Sequence, residues 1–236
     1  MEIISHPSPN YNQRANNRQP SLIIIHYTGM PSGKDALERL CDPASQVSAH
    51  YLIEEDGRIF QLVDDMMRAW HAGVSCWQGE RDINSASIGI EIVNPGHEWG
   101  YREFPKKQLQ ALENLLQELQ QRWHIKGENI LGHSDVAFAR KTDPGELFPW
   151  EDLAKKGFGL WPREKITPQD LSPLQAQELL KKIGYDAPLH GEMDALMKTL
   201  IANFQRHFRP SQITGELDSK TNGLIVSLAH GSTSSP

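Results

Sequence analysis

The sequence predicts an α/β protein with a mixed central sheet flanked by helices, followed by a small C-terminal three-helix domain. Over residues 21–150, β-branched runs alternate with a helical pattern, which is typical of a sheet covered by helices. A Pro- and Gly-containing stretch at about 155–170 then changes the composition, and apolar residues recur at helical spacing beyond it. These observations divide the chain into a first domain at 1–160 and a helical domain at 171–230.

The strand signals lie in the first domain, after a polar lead-in at 1–20 that is expected to be extended. SLIIIHYT, at 21–28, is a β-branched run typical of a buried central strand. Further on, two strand-like runs are joined around Asp56-Gly57, which is a strong hairpin signal. In SIGIEIVN, isoleucines alternate with other residues, so Glu91 should point away from the isoleucine face.

Four helices are predicted. The first covers about 105–124, where Pro105 suits the first turn and leucines form one apolar stripe. The others correspond to LSPLQAQELLKKIGY, which ends at Gly184, and to MDALMKTLIANFQRHF and SKTNGLIVSLAH. A three-helix domain of this size is small, but it is feasible when it leans on a larger domain.

Composition narrows the classes of function. The formal net charge is -6 and the sequence has no run of Lys or Arg, so a nucleic-acid partner is not expected. The two cysteines, Cys41 and Cys76, are interpreted as small buried thiols, with pairing in an oxidising compartment as the alternative. The oligomeric state is left open.

The N-terminus has no basic region, apolar region or cleavage site of a secretory leader. The apolar run Leu22–Ile25 is far too short to span a membrane, so no transmembrane segment is expected. As written, the chain is predicted to be cytoplasmic. The alternative is a mature protein of the periplasm or cell envelope whose leader has been removed.

Three positions suggest chemistry at the ends of strands. His26 ends the first core strand, and α/β sheets bind ligands at the carboxyl ends of their strands. The loop in ILGHSDVAFARKTDPG adds His133 and Asp143. Two histidines and a carboxylate would form a three-ligand zinc site with a fourth position for water, and Glu91 is the candidate base.

Plainer interpretations stay open for the same residues. Taken alone, His26 is more typical of a histidine hydrogen-bonded in the core, and the charged loop is equally consistent with a solvated segment. Glu91 is also consistent with a carboxylate on the solvated face of its strand. The spacing of the candidate ligands follows no local rule, so spacing alone does not establish a metal.

Five motifs occur in an order that is more specific than any one of them. Together they resemble the AmpD/AmiD type of N-acetylmuramoyl-L-alanine amidase over about residues 20–160. The resemblance implies a fold shared with peptidoglycan recognition proteins, and hydrolysis of the bond between N-acetylmuramic acid and L-alanine. The motifs are HYT at 26–28, SAHYLIEEDGRIFQLV at 48–63, AWHAG at 69–73, SIGIEIVN at 87–94 and GHSDVAFARKTDPG at 132–145.

Carried over position by position, the resemblance implies Zn2+ ligands at His26, His133 and Asp143. It places the catalytic glutamate at Glu91 and a catalytic lysine at Lys141. An aspartate as the third ligand looks like the bacterial amidases. Because no expected ligand is missing, an active enzyme is favoured over the alternative, a non-catalytic peptidoglycan-binding protein.

Three more residues are candidates for contacts with a peptidoglycan or muropeptide substrate. His71 in AWHAG is either a substrate contact, a partner of a ligand or a packed histidine. Arg81 would pair with a peptide carboxylate, with a plain surface charge as the alternative. Asn84 would bond a sugar or peptide group. His50, by contrast, is expected to be hydrogen-bonded inside the sheet.

The C-terminal segment is similar to a peptidoglycan-binding three-helix module, with a purely structural appendage as the alternative. If the module anchors the enzyme to polymer, truncation after about Lys165 should reduce activity on sacculi and spare soluble muropeptides. The module favours intact cell wall as a substrate, whereas the N-terminus without a leader favours soluble anhydro-muropeptides.

Overall fold

The computed structural model describes residues 2–162 and 166–231, and its central element is a six-stranded mixed sheet. The order is β1-β5-β4-β7-β3-β8, with β2 and β6 forming a separate antiparallel pair. Within the sheet, only β4 and β5 are antiparallel neighbours. The strands are β1 Ile3–Ser5, β2 Tyr11–Gln13, β3 Leu22–Tyr27, β4 Tyr51–Ile53, β5 Ile59–Gln61, β6 Met67–Ala69, β7 Ser87–Ile92 and β8 Ile130–Gly132.

Helices connect and cover the strands. Three short 3-10 turns lie at Ala15–Asn17, Pro43–Ser45 and Gly127–Asn129. Part of the expected linker, residues 163–165, lies outside the described residues, and so does the proposed truncation point. The α-helices are α1 Gly33–Cys41, α2 Ile83–Ala86, α3 Gly96–Trp99, α4 Lys106–Trp123, α5 His133–Val136, α6 Trp150–Ala154, α7 Pro173–Ile183, α8 Ala195–Phe208 and α9 Ser219–Gly231.

The main predicted elements are confirmed. β3 and β7 lie where the β-branched runs are, and β4 and β5 form the hairpin around Asp56-Gly57. α4 begins directly after Pro105, and α7 to α9 are the three C-terminal helices. The polar lead-in differs from expectation because it supplies β1 and β2, whose pairing uses backbone groups that no side-chain pattern announces.

The register of three neighbouring parallel strands brings candidate residues to one edge of the sheet. His26 lies beside Glu91 in the pairing of β3 with β7. Ile25 lies beside Gly132 in the pairing of β3 with β8, so the chain enters α5 at His133 level with His26. In-register residues of parallel strands point to the same face, which places these side chains together.

Two apolar layers cover the sheet. On one face, Ile23 and Ile25 of β3 and the isoleucines of β7 pack against α4, whose leucines on that side are each fully buried: Leu112, Leu115, Leu116 and Leu119. On the other face, Leu22, Ile24 and Leu131 share one continuous core with α7, α8 and α9. The helical domain therefore covers a face of the first domain's sheet, and removing it would expose that face.

Two further sequence expectations concern cysteines and membranes. Cys41 is half-buried and Cys76 is buried, and both are free thiols. Within residues 2–162 and 166–231, every helix is too short or too polar to cross a bilayer.

A buried glutamine joins α8 to the loop before α9. The side chain of Gln205 is fully buried, and its amide oxygen accepts from the backbone N–H of Thr214 (2.7 Å) and Gly215 (2.9 Å). Its amide nitrogen donates to the carbonyl of Glu216 at 3.1 Å. One buried side chain therefore bonds three backbone groups of this loop, of which the N–H of Gly215 is buried.

Gln205→Leu should lower the free energy of unfolding by about 2 kcal/mol, because the buried N–H of Gly215 would lose its partner and the loop would lose two further hydrogen bonds. Urea unfolding of the full chain measures the change. The control is Gln110→Leu on α4, whose exposed amide bonds Asn114, and its effect should stay within about 0.5 kcal/mol. Equal effects of the two substitutions would contradict the assignment.

Candidate metal centre

Three side-chain atoms converge at the carboxyl edge of the sheet. Nδ1 of His26 lies 2.9 Å from Nδ1 of His133, and each nitrogen lies 3.1 Å from Oδ2 of Asp143. All three side chains are buried, and together they form a group able to hold a metal ion. The structure thus brings together the three residues that were predicted as metal ligands from one strand end and one loop.

The hydrogen bonds around His133 fix which ring nitrogen carries the proton. Its Nε2 lies 3.0 Å from the carbonyl oxygen of Ala72, which can only accept. Arg140 donates to the same carbonyl and lies farther from Nε2, at 3.4 Å. Nε2 therefore carries the proton and donates to Ala72, which leaves a lone pair on Nδ1, pointing into the centre.

A chain of hydrogen bonds fixes His26 in the same way. The hydroxyl of Ser87 donates to the carbonyl of Ile83 at 2.6 Å, so it accepts from Nε2 of His71 at 3.2 Å. Nδ1 of His71 is then an acceptor, and Nε2 of His26 donates to it at 3.0 Å. His26, like His133, consequently turns an unprotonated Nδ1 towards the centre.

Burial and neighbouring charges keep this group in the form that binds a cation. Burial, and then the adjacent His133, lower the pKa of His26 to about 4. Two lone pairs and a carboxylate facing one another in a dry site repel unless a cation lies between them, so the donor set fits a metal.

Glu91 lies beside this group. It lines the same groove as the three ligands, and its Oε2 is buried without a hydrogen-bond partner among the described residues. Burial, and then the charge of Asp143, raise the pKa of Glu91 well above its usual value, whereas Lys141 opposes the shift. A carboxylate with an unused oxygen next to a metal centre is suited to taking and returning a proton.

The groove above the centre has a volume of about 540 Å³. Lys141 lines it together with the ligands, and Trp70 and Trp99 supply aromatic walls. Trp99 is more than half exposed, as the side chain of a binding surface would be. The sequence analysis did not identify Arg39 and Trp99, which also line the groove, because their helices, α1 and α3, were not predicted. The available signal was a Trp in a segment bounded by glycines, Gly96 and Gly100.

The three candidate substrate contacts have different surroundings. His71 lines the groove, and its ring packs closely on Gly89. A Cβ placed on Gly89 would lie 2.4 Å from the nearest atom of the His71 ring. Asn84 is buried, and its oxygen accepts from the backbone N–H of His71 (3.1 Å) and Ala72 (2.8 Å). Asn84 therefore holds the segment that carries the outer partners of both histidine ligands.

Arg81 is not brought to the groove. Its side chain is 70% exposed and pairs with Asp186 of the helical domain at 3.1 Å. The surface-charge alternative describes this position, since the guanidinium contacts the second domain and not the metal centre. His50 lies inside the sheet as expected, where its Nδ1 accepts from the N–H of Gly89 at 2.9 Å.

This sheet and site define a class: α/β proteins with a His-His-Asp centre at the carboxyl ends of parallel strands and a glutamate beside it. The chain belongs to the family of N-acetylmuramoyl-L-alanine amidases, whose model matches residues 16–146. A second family model, for peptidoglycan binding domains, matches residues 172–225.

Similar proteins cover both parts of the chain. N-acetylmuramoyl-L-alanine amidase AmiD of Escherichia coli is 38% identical over 230 residues, which is 88% of this chain and 81% of that protein. A structure of E. coli AmiD with the substrate anhydro-N-acetylmuramic acid-L-Ala-D-gamma-Glu-L-Lys has a TM-score of 0.80, with 36% identity and 93% of each chain covered. AmpDh3 of Pseudomonas aeruginosa gives 0.82 at 30% identity, with 96% of each chain covered.

His71→Phe should raise the dissociation constant for a divalent transition metal about 10- to 100-fold, because His26 would lose the acceptor that fixes its protonation. Competition with a chromophoric chelator measures the constant. His6→Phe, an exposed histidine that packs on Phe60, is the control and should leave affinity unchanged. Unchanged affinity in His71→Phe would mean that the hydrogen-bond chain does not orient His26.

Proposed function

We propose that the protein is a zinc-dependent amidase that hydrolyses the bond between N-acetylmuramic acid and L-alanine in peptidoglycan fragments. The convergence of two unprotonated histidine nitrogens and one carboxylate oxygen beside a glutamate carries the proposal. Membership of the amidase family supports the reaction class, and the AmiD complex supports a muropeptide as the kind of substrate.

The donor set suits zinc in both chemistry and size. Zn2+ takes His nitrogen and carboxylate oxygen at about 2.0–2.2 Å in tetrahedral sites, which separates ligand atoms by about 3.3 Å. The separations of 2.9 and 3.1 Å among His26, His133 and Asp143 are close to that value. Bound zinc would supply a Lewis acid that polarises the scissile carbonyl and lowers the pKa of a nearby water.

The residues of the chain perform the proton transfers and stabilise charge. Glu91 accepts a proton from the attacking water at Oε2, which has no hydrogen-bond partner among the described residues, and later delivers it to the leaving nitrogen of L-alanine. The ammonium group of Lys141 faces the same groove and is placed to stabilise the negative oxygen that develops from the carbonyl. One such donor lowers the activation barrier by about 3–4 kcal/mol.

The groove and the helical domain bear on which form of substrate is used. Trp70 and Trp99 line the groove and offer flat apolar faces on which a sugar ring can lie. The match to peptidoglycan binding domains supports polymeric peptidoglycan as a second substrate form, next to soluble anhydro-muropeptides. The alternative, a non-catalytic peptidoglycan-binding protein, leaves the unpartnered Glu91 oxygen without a role.

Purified protein should contain one zinc per chain, and Asp143→Ala should lose most of it, because affinity depends on the number and charge of the ligands. Elemental analysis of chelator-free protein measures the content. The control is Asp56→Ala, whose exposed carboxylate pairs with Arg58 on the hairpin. Active protein without zinc would refute the zinc assignment.

Glu91→Gln should keep zinc and bind muropeptide but lose about 10²–10⁴-fold in turnover, since the amide cannot accept the proton of water. Lys141→Ala should also lower turnover while zinc content is kept. Mass spectrometry of products from anhydro-muropeptide and from sacculi gives both the rate and the bond cut. Glu55→Gln, an exposed carboxylate paired with Arg102, is the control. Wild-type turnover in Glu91→Gln would assign the base to another group.

A further inference from the structure

A buried carboxylate directly behind the metal centre receives three hydrogen bonds. Asp135 is 1% exposed, and its Oδ2 accepts from the backbone N–H of Gly132 at 2.7 Å. Its Oδ1 accepts from the hydroxyl of Tyr185 at 2.7 Å. Nδ1 of His207 donates to the same carboxylate, 2.9 Å from Oδ2. Two of these three donors belong to the helical domain.

Packing fixes the two donors of the helical domain. The ring of His207 lies between Trp150 and Phe208, with centroid distances of 4.1 and 4.0 Å and nearly parallel planes. Tyr185 packs edge-on against Trp77 at 5.0 Å. Aromatic rings on both sides restrict His207 and an edge-on ring restricts Tyr185, so their polar atoms meet Asp135 in one geometry.

Asp135 belongs to the turn that presents a ligand. The turn α5 begins at His133, so Asp135 bonds the N–H of Gly132, the residue directly before the ligand. The N–H of the next residue, Ser134, donates to the carbonyl of Asp143 at 2.8 Å. Fixing this turn therefore fixes the backbone of two ligands at once.

The glycine at 132 is consistent with this arrangement. A Cβ at Gly132 would lie 2.9 Å from the ring of Pro144 and 3.2 Å from the Asp135 carboxylate. The backbone thus approaches the carboxylate and the segment after Asp143 as closely as a residue without a side chain allows.

The helical domain also holds the far end of the same loop. The amide nitrogen of Asn203 on α8 is buried and donates to the carbonyl of Phe138 at 2.7 Å. It also donates to the carbonyl of Lys141 at 3.2 Å. Phe138 follows the turn that carries His133, and Lys141 is the candidate residue for stabilising the oxyanion. Helix α8 therefore contacts the loop at both of these positions.

We propose that the helical domain positions the metal centre, through Tyr185 and His207 on Asp135 and through Asn203 on the loop. This inference rests on the proposed function, since it assigns positioning roles around the zinc ligands. It extends that function because a domain matched to peptidoglycan binding supplies hydrogen bonds that set the geometry of cleavage. Tyr185, His207 and Asn203 are not among the candidate ligands or the residues that line the groove, and they act through the loop and turn that carry His133.

The test compares two tyrosine hydroxyls that donate to buried carboxylates at the same distance. Tyr185 bonds Asp135 and Tyr51 bonds Asp65, both at 2.7 Å, and both rings are buried. Tyr185→Phe and Tyr51→Phe therefore each remove one hydroxyl and one buried hydrogen bond to a carboxylate, and Tyr51→Phe also removes the bond that its hydroxyl accepts from Gln61 at 3.3 Å. Only the first lies behind the metal centre, so a general loss of stability affects both variants and a positioning effect only one.

Tyr185→Phe in the full chain should raise the dissociation constant for zinc about tenfold, whereas Tyr51→Phe should leave it within about twofold of the parent. Cobalt(II) substituted for zinc should show a changed visible absorption spectrum in Tyr185→Phe alone, since the spectrum reports ligand geometry. Turnover on a soluble muropeptide should fall in kcat with KM retained. His207→Phe keeps the ring stack, removes the donor and should behave like Tyr185→Phe.

Zinc affinity and cobalt spectra that match the parent in both folded Tyr185→Phe and folded His207→Phe would overturn the proposal. So would an equal loss of zinc affinity in the Tyr51→Phe control. If one of the two variants does not fold, the other decides. The parent protein is measured first: if it binds no zinc, the proposed function and the positioning role both fail, whereas zinc binding and turnover by the parent isolate the positioning role.

Discussion

The structure depends on holding two histidine nitrogens and a carboxylate oxygen against one another in a dry interior. These atoms repel one another when no cation is present, so the surrounding residues must hold the three side chains in place. In both rings, the N–H proton points away from the centre and towards an acceptor. The carbonyl of Ala72 takes the proton of His133, and His71 takes that of His26.

The parallel strands bring the three side chains together, because their carboxyl ends meet at one edge with side chains on one face. The orientation of the two histidine rings depends on residues that take no part in the proposed chemistry. Asn84 fixes the backbone of His71 and Ala72, and Gly89 leaves the space that the His71 ring occupies. Glu91, in register with His26, gains a raised pKa from the burial that this order requires.

The local sequence patterns correctly predicted individual strands and helices. The β-branched run at 21–28, the hairpin at Asp56-Gly57 and the leucine stripe of α4 gave strands and a helix at the correct places. The ligand set came from resemblance, since His26 and His133 are 107 positions apart and no spacing rule links them. Pairings across such distances also explain what was missed: nothing in the segment around His207 announces that it bonds Asp135, 72 positions away.

The continuous core beneath the sheet changes how the helical domain should be understood. A tethered anchor acts by raising local concentration and needs no contact with the catalytic residues. Here Leu22, Ile24 and Leu131 share one core with α7, α8 and α9, and Asn203 reaches the loop before Asp143. Deleting the domain would remove a packing layer together with any anchor, so truncation cannot separate the two roles, whereas removal of single hydroxyl or imidazole donors in the intact chain can.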